Sequence, residues 1–109
     1  MITITHRPGR ITIDGHAGYA VIGQDIVCAA VSALVQTFLA SVEELTTDSI
    51  EATWNAQGQI QLIQYRKLSE GAQLLLASFF VGIRMIADSY PANVRVTKDK
   101  QTEKTDSEV

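Results

Sequence analysis

The sequence of 109 residues holds one cysteine, two histidines, two prolines and one tryptophan, and each scarcity excludes something. A single cysteine forbids an intramolecular disulfide, and a free thiol suits a reducing compartment. One Cys and two His do not complete a structural zinc site without a carboxylate, so neither a metal nor another cofactor is expected. Nine basic residues against twelve acidic ones, a net charge of -3, leave no electrostatic footprint for direct nucleic-acid binding. The opening segment, Met1-Ile-Thr-Ile-Thr-His-Arg, lacks a basic stretch followed by an apolar one and reads as strand, which makes the cytoplasm the expected location. Residues 26–42 carry no charge, close to the minimum for a membrane span. Ser32, Gln36, Thr37 and Ser41 interrupt that run, and Asp25, Glu43 and Glu44 flank it without a Lys or Arg anchor, so no membrane partner is expected.

What is present reads as one α+β domain, residues 1–97, followed by a charged tail, 98–109, expected to be disordered because only its terminal valine is apolar. Met1–Thr5 and Arg10–Asp14 alternate β-branched and polar residues around the turn Pro8-Gly9, giving a first hairpin. Asp48–Trp54 and Gln59–Tyr65 give a second, with Ile50, Ala52 and Trp54 sharing one face and Ile60 and Leu62 continuing it. Asp25 is a good N-cap for a long apolar helix from Ile26 to about Leu45. Ser69 caps a second helix that ends at Tyr90-Pro91, and Val94 with Val96 suggests a last short strand. The fold implied is a mostly antiparallel sheet packed with two long apolar helices. Helices this apolar offer more surface than one small sheet covers, which predicts a homodimer. Trp54 suits core or dimer packing better than substrate binding.

Chemistry concentrates between Gly15 and Ser32. His16 follows the second strand, and Cys28 falls in the first turn of the first helix, where unpaired amides and the helix dipole favour a thiolate. His16 lies where a rigid scaffold presents side chains to solvent, and a loop fold-back lets it take the thiol proton. On residue type alone, Cys28 is more readily a small buried hydrophobe, and His16 a surface turn residue. His6, without such surroundings, reads as structural. Gly18–Gln24 is uncharged and glycine-bounded, the makings of a flap containing Gly18, Tyr19 and Gly23. Asp25 has two possible roles: helix cap, or partner that orients His16. Ser32, four residues after Cys28, shares its helix face and either assists near the sulfur or bonds back to its own helix.

Gly15-His16-Ala17, a short loop, Gly23, then Asp25-Ile26-Val27-Cys28-Ala29 and Ser32 together resemble the ribosomal-processing cysteine protease family, Prp. The likeness follows the order of elements along the chain up to its tail. It implies a cysteine endopeptidase that removes the N-terminal extension of a large-subunit ribosomal protein, cutting after a hydrophobic, Phe-rich motif. It also implies a homodimer, Cys28 as nucleophile, His16 as base, and Gly15, Asp25 and Ser32 in support or substrate binding. First-turn amides of the helix are then expected to hold the oxyanion. The flap centre, Tyr19-Ala20-Val21-Ile22, is apolar where the family often carries polar or charged residues, a departure that bears on substrate preference. Two alternatives stand beside this reading: a mobile-element copy that processes a phage capsid or scaffold protein, and a non-catalytic dimeric interaction module in which Cys28 is core.

Overall fold

A computed structural model describes residues 1–21 and 23–98. Its elements run β1 (Ile2–Arg7), β2 (Arg10–Asp14), α1 (Ile26–Leu45), β3 (Ile50–Trp54), β4 (Ile60–Tyr65), α2 (Glu70–Ser89) and β5 (Val94–Lys98). Lys98 is the last residue of β5, and the rest of the charged tail, like Ile22 of the flap, lies outside the described residues.

The five strands form one sheet in the order β3-β4-β2-β1-β5. Three neighbouring pairs, β1–β2, β2–β4 and β3–β4, are antiparallel, and β5 joins β1 in parallel. Strand parity explains which face is covered. Ile2, Ile4 and Ile11 point toward the helices and are buried, while Thr3, Thr5 and Thr12 lie on the opposite face. In β4 the parity is broken: Trp54 pairs with Ile60 and Thr53 with Leu62, so Gln61 is an extra residue on that strand. The bulge lets Ile60 and Ile63, three apart, both reach the core, with Ile63 opposite Ile11. Leu62 pairs with Thr12 and sits on the polar face, contrary to the simple alternation expected for this strand.

Both helices cover the same side of the sheet. Helix α1 buries Val27, Val31, Val35, Phe38 and Val42, the stripe that a 3.6-residue period gives. Helix α2 buries Ala72, Phe79, Phe80 and Ile83. They meet closely at Gly82, where a Cβ would stand 2.9 Å from Leu34 Cδ1, and Phe38 stacks on Phe79 with ring centroids 5.3 Å apart. By length and composition both helices are apolar enough to cross a membrane, but each has one face committed to this core. Trp54 stays 53% exposed at the end of edge strand β3, so it is not a core residue. His6 is structural, as its sequence surroundings suggest: it stacks on Phe80 at 4.5 Å, and its Nε2 hydrogen-bonds the Tyr65 hydroxyl at 3.1 Å.

Candidate active site

The sheet end formed by the close of β2 and the starts of β1, β4 and β5 faces the first turn of α1, and the expected site residues gather there. Gly15 leaves β2 with φ of +91°, a conformation that favours glycine, and any Cβ on it would collide with the Met1 carbonyl. This tight exit delivers His16 to the cleft, where the Met1 nitrogen donates to the His16 carbonyl. His16 is exposed, and its ring has no hydrogen-bond partner among the described residues.

Cys28 is half-buried in the opening turn of α1. Its sulfur accepts a hydrogen bond from the Ala17 N–H at 3.4 Å, so the residue after His16 is tied directly to the thiol. The surrounding cleft has two lobes. One runs toward the sheet and is lined by Ile2, Ile13, Val31, Val35 and Ile60, the other toward the flap by Gly18, Ala20, Gly23 and Asp25. His16, Cys28, Ser32 and Gln59 line both lobes and therefore stand where the lobes meet. The Ser32 hydroxyl makes no hydrogen bond to its own helix among the described residues and is open to a ligand.

Asp25 is the hub of the local geometry. Its Oδ1 accepts from Val27 N and Cys28 N, both at 3.0 Å, and its Oδ2 accepts from Tyr19 N at 3.0 Å and Ala20 N at 3.3 Å. Four amides thus occupy the carboxylate, which is a helix cap and a flap tether; it makes no hydrogen bond to His16. The Cys28 amide is the main cause that holds this carboxyl below the usual carboxylate range, burial opposes it, and the amides of Ala20, Tyr19 and Val27 add to it. The same bonds revise the expected oxyanion site. The Val27 and Cys28 amides are spent on Asp25, and Ala29 N donates to the Asp25 carbonyl, so these first-turn donors are not available to substrate. Flap residue Tyr19 also packs edge-on against Tyr90, with centroids 5.5 Å apart, at the end of α2.

Two contributions escaped the sequence reading. The β3–β4 turn supplies Asn55, Gln57 and Gln59 to the cleft wall opposite α1. Asn55 Oδ1 accepts from the amides of Gln57 and Gln59, both at 2.9 Å, and its Nδ2 donates to Gln59 Oε1 at 3.4 Å, fixing the tip. The other is Asn93, whose side chain donates to the Ala17 carbonyl at 2.8 Å. No group of three His, Cys, Asp or Glu able to hold a metal occurs among the described residues.

A half-buried thiol hydrogen-bonded to the residue after a histidine, at the junction of a two-lobed groove, suits nucleophilic attack on an extended peptide. The family model for the cysteine protease Prp matches residues 1–95. The chain belongs to this family. It is accordingly a cysteine protease, and the non-catalytic interaction module is set aside on the family match. The ribosomal processing cysteine protease Prp of Staphylococcus aureus is 28% identical over 103 residues, spanning 88% of this chain and 97% of that protein. Crystal structures of an essential Prp from S. aureus agree over 91% of this chain and all of theirs, at 26% identity. The one with a covalently linked product peptide gives a TM-score of 0.86, the one with a substrate peptide 0.74. The structure of SMU.848 from Streptococcus mutans, 29% identical, covers 90% of this chain and 93% of its own at a TM-score of 0.70. Prp membership agrees with the α+β architecture expected from the sequence, with β5 as the parallel exception in a mostly antiparallel sheet.

Proposed function

We propose that this chain cleaves the N-terminal extension of a large-subunit ribosomal protein, in the cytoplasm and as a homodimer, with Cys28 as nucleophile and His16 as general base. The observation that carries the reading is the meeting of Cys28 and His16 at the junction of the two lobes, with Ala17 N–H on the sulfur. An extended substrate laid through the groove presents its scissile carbonyl to Cys28. The exposed imidazole of His16, without a ring partner, turns onto the thiol and takes its proton, and Cys28 Sγ forms a thioester as His16 protonates the departing amine. Water then attacks the thioester with His16 again as base, releasing the second product and restoring the thiol. The apolar lobe of Ile2, Ile13, Val31, Val35 and Ile60 suits a hydrophobic substrate side chain.

The covalent product complex of the S. aureus relative supports a nucleophilic mechanism, and its description as a ribosomal processing protease supports the substrate class. Leu74, Val81 and Met85 support the dimer: spaced for one face of α2, they are 72%, 51% and 66% exposed. Sedimentation at micromolar concentration is expected to show a dimer, and a monomer there would remove that part. For the catalytic assignment, Cys28→Ala is expected to lower cleavage of a peptide carrying the ribosomal extension by at least about 10⁴-fold, with the fold retained. Cleavage that survives this substitution would refute it.

A further inference from the structure

We propose that Asn93 is a positioning residue for cleavage, acting through Ala17; the inference rests on the reading of Cys28 as nucleophile. Asn93 lies 76 residues from Ala17 in sequence, between α2 and β5. Its main chain does ordinary structural work, accepting from Ile2 N at 2.8 Å and donating to Tyr90 O at 2.9 Å. Any residue but proline satisfies those two bonds. The side chain does something else: Nδ2 donates to the Ala17 carbonyl at 2.8 Å.

Ala17 is therefore held from both sides. Its N–H is on Cys28 Sγ at 3.4 Å, its carbonyl is on Asn93, and its methyl group is buried at 1% exposure. No strand ladder or helix supports this residue, because β2 ends at Asp14 and α1 begins at Ile26. The peptide that carries His16 and meets the sulfur is thus held by no ladder or helix but by two hydrogen bonds that flank it, from the Met1 nitrogen to the His16 carbonyl and from the Asn93 carboxamide to the Ala17 carbonyl. Remove the carboxamide and the Ala17 carbonyl, in a half-buried setting, loses its donor. The segment then turns to find water, the Ala17 N–H leaves the sulfur, and His16, one residue earlier, moves with it. Small misplacements of reacting groups cost rate rather than ground-state binding when the displaced groups do not grip the substrate.

The test uses the full chain with two readouts: steady-state cleavage of the extension peptide, and alkylation of Cys28 by iodoacetamide, which needs no substrate. Asn93→Ala is expected to lower kcat about tenfold with KM unchanged within about twofold, and to change the alkylation rate severalfold. Asn93→Asp sharpens the test, because an ionised carboxylate cannot donate to a carbonyl whereas a protonated one can. The ratio of the Asn93→Asp cleavage rate to the wild-type rate should therefore climb as pH falls from about 7 to about 4.5, toward the ordinary carboxylate range. A residue with only a structural role gives a flat ratio. Wild-type kcat and alkylation in Asn93→Ala would overturn the proposal, and so would a flat ratio for Asn93→Asp, which decides the matter if the alanine variant fails to fold. Failure of the underlying reading looks different: Cys28→Ser would then keep cleaving, whatever the Asn93 variants do.

Discussion

Helices α1 and α2 are each 20 residues long, cover the same side of the sheet and begin at a polar cap, yet their first turns are held differently. Ser69 Oγ accepts one bond, from Ala72 N at 3.2 Å, and Ser69 N in turn donates to Asp48 Oδ2 at 2.7 Å. That is a cap that starts a helix. Asp25 accepts four bonds, two from its own helix and two from the flap across the cleft, and it is buried where Ser69 is exposed. Asp25 therefore joins two segments that both border the sulfur. One cap serves stability; the other makes the position of Cys28 depend on the position of Tyr19.

Breaking Asp25 should produce the larger effect. Asp25→Ala removes partners from four amides at once, so it is expected to lower both Tm and cleavage, with a greater loss of Tm than any single-bond cap change gives. The acid side of the stability curve sharpens the point. The folded carboxyl titrates below its unfolded value of about 3.9, so its contribution is complete above that value and is lost as pH falls through the lower folded one. Asp25→Asn keeps the shape and removes the titration. Thermal melts from neutral to acid pH should show wild type losing its advantage over Asp25→Asn in that window; a constant difference would mean that the charge contributes nothing.

The same contrast shows what was legible beforehand. Both caps could be read, because a polar residue ahead of an apolar run has a local physical cause. Cys28 and His16 could be read as a pair from their motif, since Gly15 and the start of α1 set their neighbourhood within a short span. The division of labour could not. That Asp25 also takes the Tyr19 and Ala20 amides on its second oxygen, joining the flap to the helix start, depends on how the flap folds back onto it. Gln59 and Asn93 were illegible for a longer-range reason. Gln59 reaches the cleft only because β4 carries a bulge at Gln61 and pairs with β2, and Asn93 reaches Ala17 only because β5 pairs in parallel with β1, setting Val94 beside Ile2. Neither pairing has a signal in local periodicity.

The smallest effect tests whether the contrast is real. Ser69→Ala removes a single part-buried cap bond, for which about 1 kcal/mol of stability is the ordinary loss. Ser69 sits at the start of α2, and Tyr90, the cap at the other end of that helix, packs against Tyr19 of the flap. Loosening the first turn should therefore leave kcat and KM within about twofold of wild type while denaturant melts report the stability loss. A fall in kcat comparable to that of Asp25→Ala would show that α2 transmits its order to the cleft along its whole length. In that case the two helix starts would not be separable into one that supports the fold and one that supports the chemistry.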